Sequence, residues 1–377
     1  MLKRFFLNNK KRNFSTASIW IKGGSNMDST GKKGVNKILC SLLTRGCEGF
    51  NNFSLSEYIE SYGAELNQEI FEDGISISIK SLNEYFSKLF PLLDLIINKP
   101  ILSETEFKKV KKSSIDYIKK DKENPFNICF EKWKKIVYSN HPYAFNTIGN
   151  ANDVSKITYE DVLLEFKNFN NREKYLISNN PEINGENFGT LDKKILKEKL
   201  DPLNHNLNNM NRFVYSNNDS NQTIIMLGDQ TCSRRSSEYF PLKVLESYLS
   251  YGMSAALFKL FREKHGITYD LGVYYPIRSG NAPFLIYLSV SNEQAIFAFE
   301  LLSIIWKNLL FNPLTDAEIF LAKEKLKGSF LLENQSLDEI LQRKIQLFSY
   351  GIAPISDIDL NSKIEEISSL DIFKLTN

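Results

Sequence analysis

The sequence predicts an α+β protein made of two tandem homologous domains, each a mainly antiparallel β-sheet covered by helices. Three observations carry that prediction. Two segments alternate apolar and polar residues with period two, as half-buried strands do. Longer segments with apolar residues at helical spacing accompany them. One succession of strand, apolar helix, break and capped charged helix also occurs twice, its second copy roughly 212 residues after the first.

Taken in order, residues 4–7 read as a strand and Asn8-Asn9 as the turn that follows. In residues 15–22, Ala17, Ile19 and Ile21 face one way while Ser18, Trp20 and Lys22 face the other. Residues 34–45 read as a helix with Val35, Ile38, Leu39, Leu42 and Leu43 on one stripe. A short helix over 54–61 stops at Gly63. Residues 74–80 form the second alternating strand, with Ile75, Ile77 and Ile79 set against Ser76 and Ser78. An apolar helix over 84–97 breaks at Asn98-Lys99-Pro100, and Ser103-Glu104-Thr105-Glu106 caps a charged helix reaching Lys120. The second copy runs through a strand at 284–290, a helix at 294–310, Asn312-Pro313, and the cap Leu314-Thr315-Asp316-Ala317-Glu318 on a helix to Leu332. A helix over 252–263 ends at His265-Gly266, and a strand over 267–275 follows. The polar stretch 181–211 joins the halves and contains one charged helix at 191–200. The expected domains are therefore residues 1–185 and 212–377, with 186–211 as linker.

Composition narrows the function. Hydrophobic residues make up 42% and aromatic residues 12%, enough for two large cores. The 47 basic and 45 acidic residues are well mixed and leave a net charge of +2, so counterion release offers no drive towards nucleic acid. No unbroken run of about 18 apolar residues occurs, and no membrane span is expected. Cys40, Cys47, Cys129 and Cys232 lack a CxxC pair and read as reduced thiols. Five basic and no acidic residues in the first fifteen have the charge of an organelle presequence. The strand reading of residues 4–7 makes the cytoplasm the expected location, with an organelle matrix as alternative.

Several short landmarks share an order and spacing. They are Gly23-Gly24-Ser25, Gly34-Val35, Leu43-Thr44-Arg45-Gly46, Ser61-Tyr62-Gly63-Ala64 and His141-Pro142-Tyr143 with Gly149 after it. Together they resemble the pitrilysin/insulinase family, to which the mitochondrial processing peptidases belong, over nearly the whole chain. The resemblance implies the family's processing-peptidase-like fold and a zinc peptidase ancestry. Active members carry His-x-x-Glu-His on a helix, where positions i and i+4 bring both imidazoles to one Zn²⁺ and the Glu between activates water, plus a distant Glu ligand. In the matching register, Lys37 and Ser41 stand at the His positions, Cys40 at the general base and Tyr117 at the distant ligand. A cationic ammonium has no lone pair for a metal. The expectation is a chain that holds no zinc and is no autonomous peptidase.

The stretch Gly252-Met253-Ser254, Leu257-Phe258, Arg262-Glu263-Lys264-His265-Gly266 and Tyr269 resembles the family's C-terminal motif. Its Arg and Tyr, seven residues apart in active relatives, reach a zinc site in the other half or in a partner; Arg262 and Tyr269 keep that spacing. The resemblance thus implies a non-catalytic subunit that binds peptide substrate beside a zinc-bearing homologous partner. A purely structural subunit of a larger complex is the alternative, and a thiol enzyme using Cys40 is a third reading. The chain also stops at Leu375-Thr376-Asn377 before the family's last strand, leaving an expected open sheet edge that asks for a partner.

Overall fold

A computed structural model describes residues 2–7, 12–187, 213–215, 220–333, 335–352 and 357–376. The first elements are β1 (Leu2–Phe6), β2 (Phe14–Lys22), α1 (Val35–Leu43), α2 (Asn52–Ser61), β3 (Glu65–Ile70), β4 (Gly74–Leu82), α3 (Phe86–Asn98) and α4 (Glu104–Asp121). Then come α5 (Pro125–Tyr138), α6 (Ala151–Lys156), α7 (Tyr159–Asn170), β5 (Lys174–Ser178), β6 (Glu186–Asn187), β7 (Gln222–Gln230) and α8 (Tyr239–Ser250). The last are β8 (Thr268–Tyr274), β9 (Pro283–Ser291), α9 (Ala295–Phe311), α10 (Asp316–Glu333), α11 (Leu337–Ser349), α12 (Asp357–Glu365) and α13 (Ser369–Thr376). The turn expected at Asn8-Asn9 and the helix expected at 191–200 lie outside the described residues.

The chain forms two compact units. One holds the described residues within Met1–Asp121, Asn140–Leu200 and Asn334–Pro354; the other holds those within Lys122–Ser139, Asp201–Glu333 and Ile355–Asn377. Each unit therefore takes one helix from the opposite half of the sequence, which a single cut at a linker does not capture.

In the first unit the strand order is β3-β4-β2-β5-β1-β6, with antiparallel pairing from β3 to β5 and parallel pairing of β1 with β5 and β6. Glu186 and Asn187, read as the start of the linker, pair with Phe5 and Phe6. Ala17, Ile19 and Ile21 stand opposite Ile79, Ile77 and Ile75, so one sheet face is continuous hydrocarbon. Ile38, Leu39, Leu42 and Leu43 of α1 and Phe86 and Leu89 of α3 join that core. Burial of this kind is worth roughly 25 cal/mol per Å² of apolar surface. The opposite face differs from the half-exposed strand that alternation suggests: Ser18 and Trp20 are buried as well. The cover is α11, from the far end of the sequence. Thr16 Oγ1 donates to Asp338 at 2.5 Å, and Phe348 packs edge-on against Phe5 with ring centroids 4.7 Å apart. Just beyond α11, Tyr350 meets Trp20 edge-on at 6.3 Å.

The second unit repeats the first in reduced form. Its sheet order, β8-β9-β7, is the β3-β4-β2 order again, all antiparallel. β4 and β9 have the same length and the same burial pattern, mostly buried with only the last residue exposed, and each runs into a 3₁₀ turn. The predicted caps are made in both copies: Glu106 N–H donates to Ser103 Oγ and Glu318 N–H to Thr315 Oγ1, each at 3.4 Å. The exchanged helices are themselves repeats. α5 lies on the second sheet, with Phe126 against Tyr287 at 5.1 Å and Phe130 against Tyr274 at 5.2 Å. Among the described residues, the segment Asn292–Phe311 is long and apolar enough to cross a membrane by length and composition. The sequence expectation of no span counted unbroken apolar runs, and Glu300 and Lys307 interrupt this one. In the fold, Ala298, Leu301, Leu302 and Leu309 of α9 are buried in the second core, while Ile296, Phe299, Ile304 and Phe311 are exposed.

Candidate functional site

The two groups of residues singled out from sequence fall in different units. In the first, α1 starts from a fixed anchor. Asp28 accepts hydrogen bonds from Gly34 N–H at 2.7 Å, Asn36 N–H at 3.0 Å and Asn36 Nδ2 at 2.8 Å, occupying amide groups that the first turn of a helix leaves free. Burial raises the Asp28 pKa, with those donors and Lys33 pulling against it. The landmark glycines have a steric cause. Gly34 has φ of 101°, and a Cβ there would lie 2.8 Å from Ile148 O; at Gly149, with φ of 78°, a Cβ would lie 2.2 Å from Lys33 O. Side chains are excluded because two backbones cross at this point. His141-Pro142-Tyr143 is a packing turn: His141 Nδ1 accepts from Tyr143 N–H at 3.1 Å, and Tyr143 OH donates to Asp73 at 2.6 Å.

On α1, Lys37 and Ser41 are half-buried, and Cys40 is fully buried. α4 packs on α1, but its Tyr117 is 60% exposed. Burial pushes the Cys40 thiol up to about 12, against the opposing influence of Lys37. A protonated thiol without solvent access is neither a zinc ligand nor a nucleophile. No group of three or more His, Cys, Asp or Glu able to hold a metal occurs among the described residues. An ammonium, a hydroxyl, a neutral buried thiol and a solvent-facing phenol do not fit Zn²⁺. The thiol-enzyme reading loses its nucleophile by the same facts.

In the second unit, the segment bearing Arg262 differs from the α-helix expected over 252–263. Gly252 has φ of 73°, and a π-helix runs from Phe258 to Lys264. π-Helical turns are rare and concentrate at functional sites. Gly266, with φ of 63°, supplies the expected left-handed stop, and Ile267 N–H closes onto Phe261 O at 2.9 Å. Arg262 is exposed, with its guanidinium 5.3 Å from the Phe258 ring centroid. The backbone of Tyr269 lies in β8, where the register against β9 shifts between Thr268 and Asp270. One π-helix, one glycine turn and one bulge thus separate the two residues, a geometry that spacing alone did not disclose.

Residues 4–151 match the family model described as insulinase, peptidase family M16, and residues 182–326 match that described as the peptidase M16 inactive domain. The chain belongs to the M16 family. An uncharacterized zinc protease of Rickettsia felis is 23% identical over 358 residues, covering 92% of this chain and 86% of that protein. The non-peptidase homolog YmxG of Helicobacter pylori is 19% identical over 377 residues, covering 93% and 83%. Among solved structures, a peptidase M16 inactive domain from Pseudomonas fluorescens superposes with a TM-score of 0.81 at 19% identity, covering 99% of this chain and 91% of that one. A protease from Helicobacter pylori gives 0.78 at 16% identity, covering 100% and 93%. The described residues thus carry the M16 fold, and Lys37, Cys40, Ser41 and Tyr117 within it do not suit zinc.

Proposed function

We propose that this chain is a non-catalytic M16 subunit that supplies Arg262 and Tyr269 to a homologous zinc-bearing partner acting on an extended peptide. One observation carries the reading: the Arg and Tyr keep the family spacing on a chain whose own metal positions hold Lys37, Cys40, Ser41 and Tyr117. Peptide hydrolysis places negative charge on the scissile carbonyl oxygen. A Tyr hydroxyl donates to that oxygen, and an Arg fork holds a neighbouring backbone carbonyl. β3 ends the first sheet, and its outer edge suits a peptide that adds as a further strand. Exposed Ile296, Phe299, Ile304 and Phe311 on α9 support a protein partner. The proposed setting is the cytoplasm, with an organelle matrix as alternative; both keep thiols reduced.

The test reconstitutes this chain with a zinc-bearing M16 homologue from the same cell and follows cleavage of a fluorogenic peptide. Tyr269→Phe is expected to lower kcat by about 100- to 1000-fold, as loss of one oxyanion donor does, while assembly persists. Arg262→Ala is expected to raise KM and lower kcat/KM. Turnover that both variants leave intact, in a complex that still assembles, would remove the proposal. A scaffold subunit shares the apolar α9 surface without needing the pair, and that outcome would favour it.

A further inference from the structure

The second unit contains a cavity of about 270 Å³ between α8, α10 and the segment 254–264. Lys259, Lys264 and Lys325 line it, and among the described residues none of their three ammonium groups has a hydrogen-bonding or ion-pair partner. Its single carboxylate, Glu318, is already engaged: Oε2 accepts from Thr315 N–H at 2.9 Å and from Thr315 Oγ1 at 2.7 Å, and Oε1 accepts from Tyr248 OH at 3.2 Å. Burial acts to raise the Glu318 pKa, but those donors and Lys259 outweigh it and hold the group below its usual range, hence ionised. Three cations against one carboxylate among the lining residues give a formal excess of +2, with Lys259 and Lys264 exposed at the mouth and Lys325 half-buried. Burial, and then Lys259 nearby, lowers the pKa of Lys325. Leu260, half-buried, and Leu321, 41% exposed, supply apolar lining beside the charges.

We infer that this cavity binds a small organic phosphate, its dianionic head among Lys259, Lys264 and Lys325 and its apolar body against Leu260 and Leu321. The charge selects a dianion over a carboxylate, which leaves one cation uncompensated. Lysines present rotatable point charges that suit a tetrahedral head, whereas a planar carboxylate favours the arginine fork. The walls select an organic ester over the bare ion. The site requires neither zinc nor the partner, so its fate is independent of the proposed peptidase role.

Phenyl phosphate, inorganic phosphate and benzoate are titrated into the intact chain at constant ionic strength and followed calorimetrically. Phenyl phosphate is expected to bind saturably and more tightly than either of the others. Lys325→Met and Lys259→Met are each expected to weaken it by roughly tenfold, a change small beside the Coulomb energy of one nearby charge. Lys108→Met, on the exposed face of α4, is expected to leave affinity unchanged, and melting curves confirm folding of every variant. Absence of saturation at millimolar phenyl phosphate, equal affinity for benzoate, or binding indifferent to Lys259 and Lys325 would each overturn the inference.

Discussion

At the scale of single residues, Cys40 illustrates how packing settles chemistry. A thiol whose pKa is pushed up to about 12 by burial stays protonated at pH 7. Native protein treated with iodoacetamide is therefore expected to leave Cys40 unmodified, while protein unfolded in urea reacts there, as peptide mass spectrometry can read. Labelling of Cys40 in the folded chain at a rate matching the unfolded one would return it to the list of nucleophiles. The residue types at Lys37, Cys40, Ser41 and Tyr117 were legible in the sequence, and ligand chemistry depends on residue type, but the burial that keeps the Cys40 thiol neutral was not. The surroundings of Arg262 were not. The π-helix that carries it lies between the positive-φ turns at Gly252 and Gly266, and helical periodicity does not separate a π-helix from an α-helix over so short a span. Lys259 and Lys325 also escaped notice, because lysines 66 positions apart in a well-mixed sequence give no signal until α10 packs beside the Arg262 segment.

At the scale of elements, the segments with strong local signals were read correctly: β2, β4, α1, α4, α9 and α10. Missed elements had weak local signals. β3 carries Glu65, Asn67 and Glu69 on one side and only Leu66 and Ile70 as clear apolar positions on the other, as suits an edge. β5 and β7 are short apolar runs without alternation, which periodicity cannot separate from helix. The caps offer a test with a defined sign. In α7, Asp161 completes a capping box with Thr158 and meets Lys32 at 2.6 Å. Burial acts to raise its pKa, but Lys32 and the Thr158 donors outweigh it and set it below the ordinary value. A carboxylate with a lowered folded pKa contributes stability above its unfolded pKa and loses that contribution as pH falls through the folded one. Urea unfolding of Asp161→Asn is expected to show a loss of roughly 0.5–1 kcal/mol at pH 7, shrinking as pH falls below the ordinary carboxylate range and through the lower folded value. An equal loss across that range would assign the effect to shape alone.

At the scale of the whole molecule, the sequence showed the repeat but not the exchange of helices. Nothing local to residues 125–138 or 337–349 announces which sheet each will cover, because that choice rests on contacts far away in the sequence. Fragments 1–187 and 213–377 are each expected to be poorly soluble when made alone, since each sheet then lacks the helix that hides one face. Made together, they are expected to co-purify with the circular dichroism of the intact chain. Soluble, cooperatively melting single fragments would show the exchange to be dispensable. The same crossing bears on synthesis in the cell. When β6 leaves the ribosome, the helix that shields Trp20 is still some 150 codons away, a wait on the order of 10–30 s at ordinary elongation rates. Through that interval the face of the nascent first sheet that bears Trp20 stays bare, so its handling by chaperones is expected to influence how much protein a cell obtains.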